Sequence, residues 1–152
     1  MIDPAAVQNL ISSWWFNYDE ANFDIWPGLL TDDVHFTCRT DTGQTDYEEF
    51  VRADVTGKDA VLEWQTDHRR NSPYPLRHNG TNIHITRQSG NEATFASYIF
   101  VTQIAQGAVS NLSSGPVTGM VRDEGGVLRI AELNVVLDTA NSDVLTSVRT
   151  GI

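Results

Sequence analysis

The sequence predicts an α+β fold in which N-terminal helices pack on a curved, mainly antiparallel sheet and enclose a pocket. Three observations carry that prediction. Apolar residues recur at three- and four-residue steps only in the first half of the chain; from Leu76 onward long runs read as strands; and two glycine turns divide those runs into hairpins. Helices first and strands afterwards is the order of an α+β chain, not of an alternating parallel one.

The elements follow in order. Asp3-Pro4 opens a helix, the carboxylate capping it and the proline ring pre-set for its first turn. Val7, Leu10, Ile11, Trp14 and Tyr18 form its apolar face, with Trp15 and Asp19 stacked four apart on the flank. A short helix is expected over Phe23–Leu30, with Pro27 near its beginning, and a strand over Val34–Arg39. Thr45-Asp46-Tyr47-Glu48 has the spacing of a capping box, which predicts a third helix to about Val55. After Gly57 a fourth helix covers Lys58 to about Arg69, and the prolines of Asn71-Ser72-Pro73-Tyr74-Pro75 exclude regular structure there. Leu76–Arg87 and Glu92–Gln106 flank the turn Ser89-Gly90-Asn91, and Val117–Asp123 and Val127–Leu137 flank Glu124-Gly125-Gly126. Gly107–Gly115 reads as a Gly/Ser loop, and the tail from Thr139 has no clear period. The whole chain, 1–152, is expected to be one domain.

Composition narrows the function classes. The chain has 152 residues, 40% of them hydrophobic, and a net charge of −10. An acidic surface repels phosphate backbones, so neither nucleic acid nor an anionic membrane is an expected partner. One cysteine, Cys38, excludes an intrachain disulfide and a cysteine-based zinc site. No leader or spanning segment is evident, which predicts a cytoplasmic protein. Phosphate-loop, dinucleotide and nucleophile-elbow motifs are missing from the sequence. His35, His68, His78 and His84 lack metal-ligand spacing, so no metal is expected.

Two places remain as candidates for chemistry. Tyr18-Asp19 lies among Trp14, Trp15, Phe16, Phe23 and Trp26, where a carboxylate loses hydration and needs a partner or a task. His78, in Arg77-His78-Asn79-Gly80-Thr81-Asn82, follows the proline-rigid loop at the mouth of a strand, where an imidazole suits proton transfer. Strict alternation sets His78 on the face opposite Ile83 and Ile85; a bulge at Gly80 would reset that phase. His35 and Cys38 read as packing or edge residues and His84 as exposed. The aromatic residues Trp14, Tyr18, Phe23 and Trp26 read as a pocket lining that favours an aromatic, steroid-like or terpenoid ligand.

These residues resemble the NTF2-like (SnoaL-like) superfamily of cystatin-like cone folds, with scytalone dehydratase and hexachlorocyclohexane dehydrochlorinase as the nearest likenesses. The resemblance rests on Tyr18-Asp19, Phe23-Asp24-x-Trp26, Leu29-Leu30-Thr31-Asp32-Asp33-Val34, Tyr47-Glu48-Glu49-Phe50, His78-Asn79-Gly80-Thr81-Asn82 and Gly126-Val127-Leu128-Arg129-Ile130. It implies a cofactor-free dehydratase in which His78 is the base, Asp19 orients it and Tyr18 polarises a substrate carbonyl. Tyr47 and Tyr98 are further candidates, and Gln103 is nearest to the dehydratase's second histidine. That enzyme's Ser/Asn pair falls near Gly115 and Val117, and the dehydrochlorinase's basic residue near Glu132. These departures point away from scytalone itself and from chloride elimination. The resemblance also implies a homotrimer acting on a small hydrophobic hydroxy-carbonyl compound.

A rival likeness comes from Asp19 to Val34 and from Arg129-Ile130-Ala131-Glu132, Val136-Leu137-Asp138 and Leu145-Thr146-Ser147-Val148. These segments resemble the small β subunit of aromatic-ring dioxygenases, which would make Asp19 and His78 structural. A ligand-binding or isomerase member of the same fold is the third reading.

Overall fold

A computed structural model describes residues 1–149, so the last three positions of the expected 1–152 span lie outside the described residues. Helix α1 (Pro4–Asp19) starts as expected, with the Asp3 side chain accepting from the Ala5 N–H. A single 3-10 turn (Trp26–Leu29) leads into β1 (Leu30–Thr40), replacing the expected Phe23–Leu30 helix. Next come α2 (Glu48–Val51), β2 (Ala53–Thr56) and α3 (Lys58–Arg70). Strands β3 (Leu76–Ser89), β4 (Glu92–Ala105), β5 (Ala108–Asp123) and β6 (Leu128–Leu137) follow, and α4 (Leu145–Val148) closes the described chain.

Six strands form one sheet in the order β2-β1-β6-β5-β4-β3, antiparallel except for the parallel β1–β6 pair. Together with the helices packed on it, this is the α+β architecture the sequence predicts. α1 lies against β3 and β6, α3 against β1 and β2. Buried residues form a hydrophobic core around Ile11, Trp14, Trp26, Phe95, Val117, Ile130 and Leu133. Gly119 permits close packing in the sheet: a Cβ there would lie 2.1 Å from the Glu132 carbonyl oxygen. No helix among the described residues is long and apolar enough to cross a membrane.

Three expectations need correction. The capping-box helix is only one turn long, because the Glu48 carboxylate turns away from Thr45 and accepts from the backbone and hydroxyl of Thr40. The segment after it pairs with β1 as strand β2, in register His35↔Thr56 to Cys38↔Ala53. The Gly107–Gly115 loop is mostly strand: a tight turn at Gln106-Gly107 starts β5, and Ala108 pairs with Ala105. Its serines and asparagine are exposed or half-buried, so polar composition hid a strand whose ladder is supplied by β4.

Candidate active site

The phase of β3 decides which way His78 faces. Thr81 pairs with Tyr98 and His84 with Ala96, so β3 carries one extra residue between them, and Asn82 adopts a left-handed φ of 57°. The bulge therefore lies at Asn82 rather than Gly80, and it lets both His78 and Ile83 face inward. Gly80 remains on the same face as His78, close under Trp15: a Cβ there would stand 3.2 Å from the indole Cδ1.

Asp19 ends α1 directly opposite His78. Its Oδ1 lies 2.6 Å from His78 Nδ1, and its Oδ2 accepts the His78 backbone N–H at 2.7 Å. The carboxylate is thus bonded on both oxygens while the residue is only 4% exposed. The imidazole lies flat on the Trp15 indole, centroids 4.8 Å apart at 4°, and Tyr18 meets its edge at 5.0 Å. Two bonds from one residue and a stacked ring leave the imidazole little freedom to rotate. With Nδ1–H donating to the carboxylate, the neutral ring holds its lone pair on Nε2.

A buried cation holds Asp19 in place from behind. Arg69 Nε donates to the carbonyls of Tyr18 and Asp19 at 3.1 Å each, and Nη2 donates to the Asp19 carbonyl at 2.8 Å. Nη1 donates to the Pro73 carbonyl at 3.0 Å, tying in the loop before β3. These carbonyls belong to the negative end of α1, where a cation is favoured. Arg69 so joins α1, α3 and the loop that delivers His78.

The cavity beside His78 measures about 280 Å³. Trp15, Tyr18, Phe36, Trp64, Ile99 and Val101 supply much of its apolar wall, and His78, His68, Gln65 and Ser72 supply polar groups. Cys38 also lines it, its thiol pushed up to about 12 by burial and then by the Glu48 charge, so the sulfur stays protonated. Among the described residues no group of three or more His, Cys, Asp or Glu side chains is placed to hold a metal ion.

Tyr18 is 2% exposed, and its hydroxyl lies 2.5 Å from His68 Nδ1. Burial is the main cause that raises the phenol's pKa, so the hydroxyl keeps its proton. His68 is sandwiched between Trp64 (4.8 Å) and Phe50 (4.4 Å) and lowered to about 4, first by burial and then by the charges of His78 and Arg69. Tyr18–His68 is therefore a neutral pair at pH 7, in which the phenol donates to Nδ1 and the ring proton sits on Nε2.

The sequence candidates divide. His78, Tyr18 and Tyr47 line the cavity, and Asp19 stands behind His78. Trp14, Phe23 and Trp26 do not line it. They stack on one another in the core beside Tyr18, with Trp14–Trp26 at 5.5 Å and Phe23–Trp26 at 5.2 Å. The helical face containing Trp14 and Tyr18 is wide enough to turn the first into the core and the second to the cavity. Tyr98 points to the outer side of the sheet, 57% exposed, and Gln103 sits beyond the lining opposite Leu76. The α3 contributors Trp64, Gln65 and His68 were missed. They recur at helical spacing with the buried Val61 and Arg69, a stripe the sequence displays without saying what it faces.

Comparison with known proteins fits this architecture. The SnoaL-like domain family matches residues 1–134. Among curated proteins no sequence relative matches the chain. Among solved structures, Rv3472 of Mycobacterium tuberculosis, a protein of unknown function, superposes with a TM-score of 0.72 at 22% identity, covering 90% of this chain and 72% of that one. The β subunit of a candidate aromatic-ring-hydroxylating dioxygenase from Novosphingobium aromaticivorans gives 0.72 at 17%, covering 93% and 92%. A candidate scytalone dehydratase from the same organism gives 0.70 at 14%, covering 92% and 87%. At these identities the three likenesses describe a shared fold.

Proposed function

The chain belongs to the SnoaL-like domain family, and from that premise we propose that it is a cofactor-free carbon–oxygen lyase that removes water from a small, uncharged, hydrophobic β-hydroxy ketone. One observation carries the reading: the buried 2.6 Å contact between Asp19 and His78 Nδ1, which leaves Nε2 free at the wall of an apolar cavity. His78 Nε2 takes the proton from the carbon next to the carbonyl, and the C–H electron pair moves into an enolate. The enolate re-forms the carbonyl as the β C–O bond breaks. The imidazolium returns its proton to the departing hydroxyl, so water and an enone leave and the ring is neutral again. Asp19 stabilises the transient imidazolium and holds its tautomer, which is worth more in a water-poor site than in solvent.

Enone formation, followed by ultraviolet absorbance over a panel of bicyclic aromatic β-hydroxy ketones, tests the reading. Turnover that disappears in His78→Ala and Asp19→Asn, both still folded, supports it; turnover unchanged in either variant contradicts it.

The fold shared with a dioxygenase β subunit supports a second reading, a non-catalytic small subunit. Here Asp19–His78 would brace α1 against β3, and the same substitutions would lower stability or assembly with a large iron-bearing subunit. A homotrimeric state belongs to either reading, and sedimentation equilibrium measures it without separating them.

A further inference from the structure

The polar groups of the cavity have separate fates. Tyr18 hydroxyl is engaged with His68 Nδ1, Ser72 Oγ donates to the His68 carbonyl, and His78 Nδ1 is held by Asp19. His68 Nε2 and Trp15 Nε1 have no partner and are closed over by their surroundings. Tyr47 and Ser113 are open enough for solvent to serve them. Gln65 differs from all of these. It is 3% exposed, it lines the cavity, and its amide makes no hydrogen bond among the described residues.

Its position sharpens the point. Val61, Gln65 and Arg69 form the most buried stripe of α3, at successive i, i+4 steps. Val61 packs in the core and Arg69 is bonded to four carbonyls. Between them Gln65 keeps an amide that makes no hydrogen bond among the described residues and opens onto the cavity, where leucine or methionine would fill a similar space with an apolar wall. A buried polar group left without a protein partner is what a site built for a ligand oxygen requires.

The chemistry of that ligand follows from the neighbours. Tyr18 and His68 are neutral at pH 7, Cys38 stays a thiol, and the Asp19 carboxylate lies directly behind His78. Among the described residues no lysine or arginine lines the cavity to receive an anion. An amide donates to a carbonyl oxygen as a neutral partner, and the flat rings of Trp15 and Trp64 suit a planar body.

We propose that Gln65 is the oxygen-recognising residue of the cavity: its amide N–H holds the carbonyl oxygen of an uncharged, flat, bicyclic ketone and directs the adjacent carbon to His78. The direction toward His78 rests on the lyase reading; the recognition of the oxygen does not.

The test is equilibrium binding of 2-tetralone and of its hydrocarbon counterpart tetralin to the full chain, read by quenching of tryptophan fluorescence. The wild-type protein is expected to prefer the ketone, and Gln65→Met to lose about 10-fold of ketone affinity with tetralin binding unchanged or tighter. Gln65→Leu, apolar and of similar volume, serves as the second variant and loses the preference too. A purely packing role for Gln65 would move both affinities together. Equal wild-type affinity for the two probes, or an unchanged ratio in the folded Gln65 variants, overturns the proposal. Failure of the lyase reading appears elsewhere: the ketone preference would collapse in Gln65→Met while no enone is formed by the wild type.

Discussion

Where α1 meets β3, the Asp19 carboxylate and His78 Nδ1 are bonded to each other and Arg69 reaches across from α3 to brace them, whereas on the cavity face of α3 the Gln65 amide makes no hydrogen bond among the described residues and His68 Nε2 is closed over without a partner. The first wall carries charge and is over-determined: two contacts from Asp19, a stacked indole and a buried arginine fix one imidazole. The second is neutral and under-bonded. Under the lyase reading, a fixed imidazole facing the open Gln65 amide suits a reaction whose substrate supplies the missing partner, because the base does not reorganise while the ligand satisfies the amide.

The comparison breaks first at His78. His78→Ala should lower the rate of enone formation by about 10²–10⁴-fold while the thermal midpoint moves little, as a steady-state assay paired with a melt will show. Asp19→Asn keeps the shape but loses the charge that stabilises the imidazolium; a fall of about 10²-fold is expected, with kcat affected more than KM. Arg69→Met attacks the support rather than the base. Removing the cation frees several buried carbonyls at once, so a loss of about 3 kcal/mol is expected, seen as a midpoint lowered by roughly 6–12 °C in calorimetry.

Acid on the α3 wall has an effect of similar size. His68 titrates at about 4 in the fold, against an ordinary value of 6.5. The unfolded chain binds the proton first, so this contribution to stability is fully present above pH 6.5 and is lost as pH falls toward 4. It amounts to at most about 3 kcal/mol. Urea melts across that range should show a shallower pH slope in His68→Phe than in the wild type; an identical slope would show that His68 is not held neutral by its surroundings.

Much of the fold was legible where one segment decides its own conformation. Asp3-Pro4 and the Val7–Tyr18 stripe define α1, and Ser89-Gly90-Asn91 and Glu124-Gly125-Gly126 define the two hairpin turns. Legibility ended where the deciding partner is remote. Strand β2 has only four residues and exists because β1 pairs with it, and the box-like spacing at Thr45–Glu48 was overruled by Thr40 across the turn. The start of β5 looks like a loop because its side chains are polar, yet β4 supplies its ladder. At the site, Asp19 and His78 stood out by residue type and by ordered resemblance. Their contact across 59 positions depends on a bulge at Asn82 that no glycine marks. Gln65 and His68 look like ordinary polar residues of an exposed helix. Only the packing of α3 against β1 shows that their face is the inner one.

The proposed reaction turns on removal of a proton from carbon by His78 Nε2, held by Asp19, inside this cavity. Its most direct test is the exchange of the α-hydrogens of 2-tetralone with deuterium from solvent, followed by NMR, since it isolates proton removal from departure of any leaving group. Exchange by the wild-type protein is expected well above the buffer rate, falling by about 10²-fold or more in His78→Ala and in Asp19→Asn. Exchange at the buffer rate by a protein that binds the ketone, or equal exchange in the wild type and His78→Ala, would contradict it.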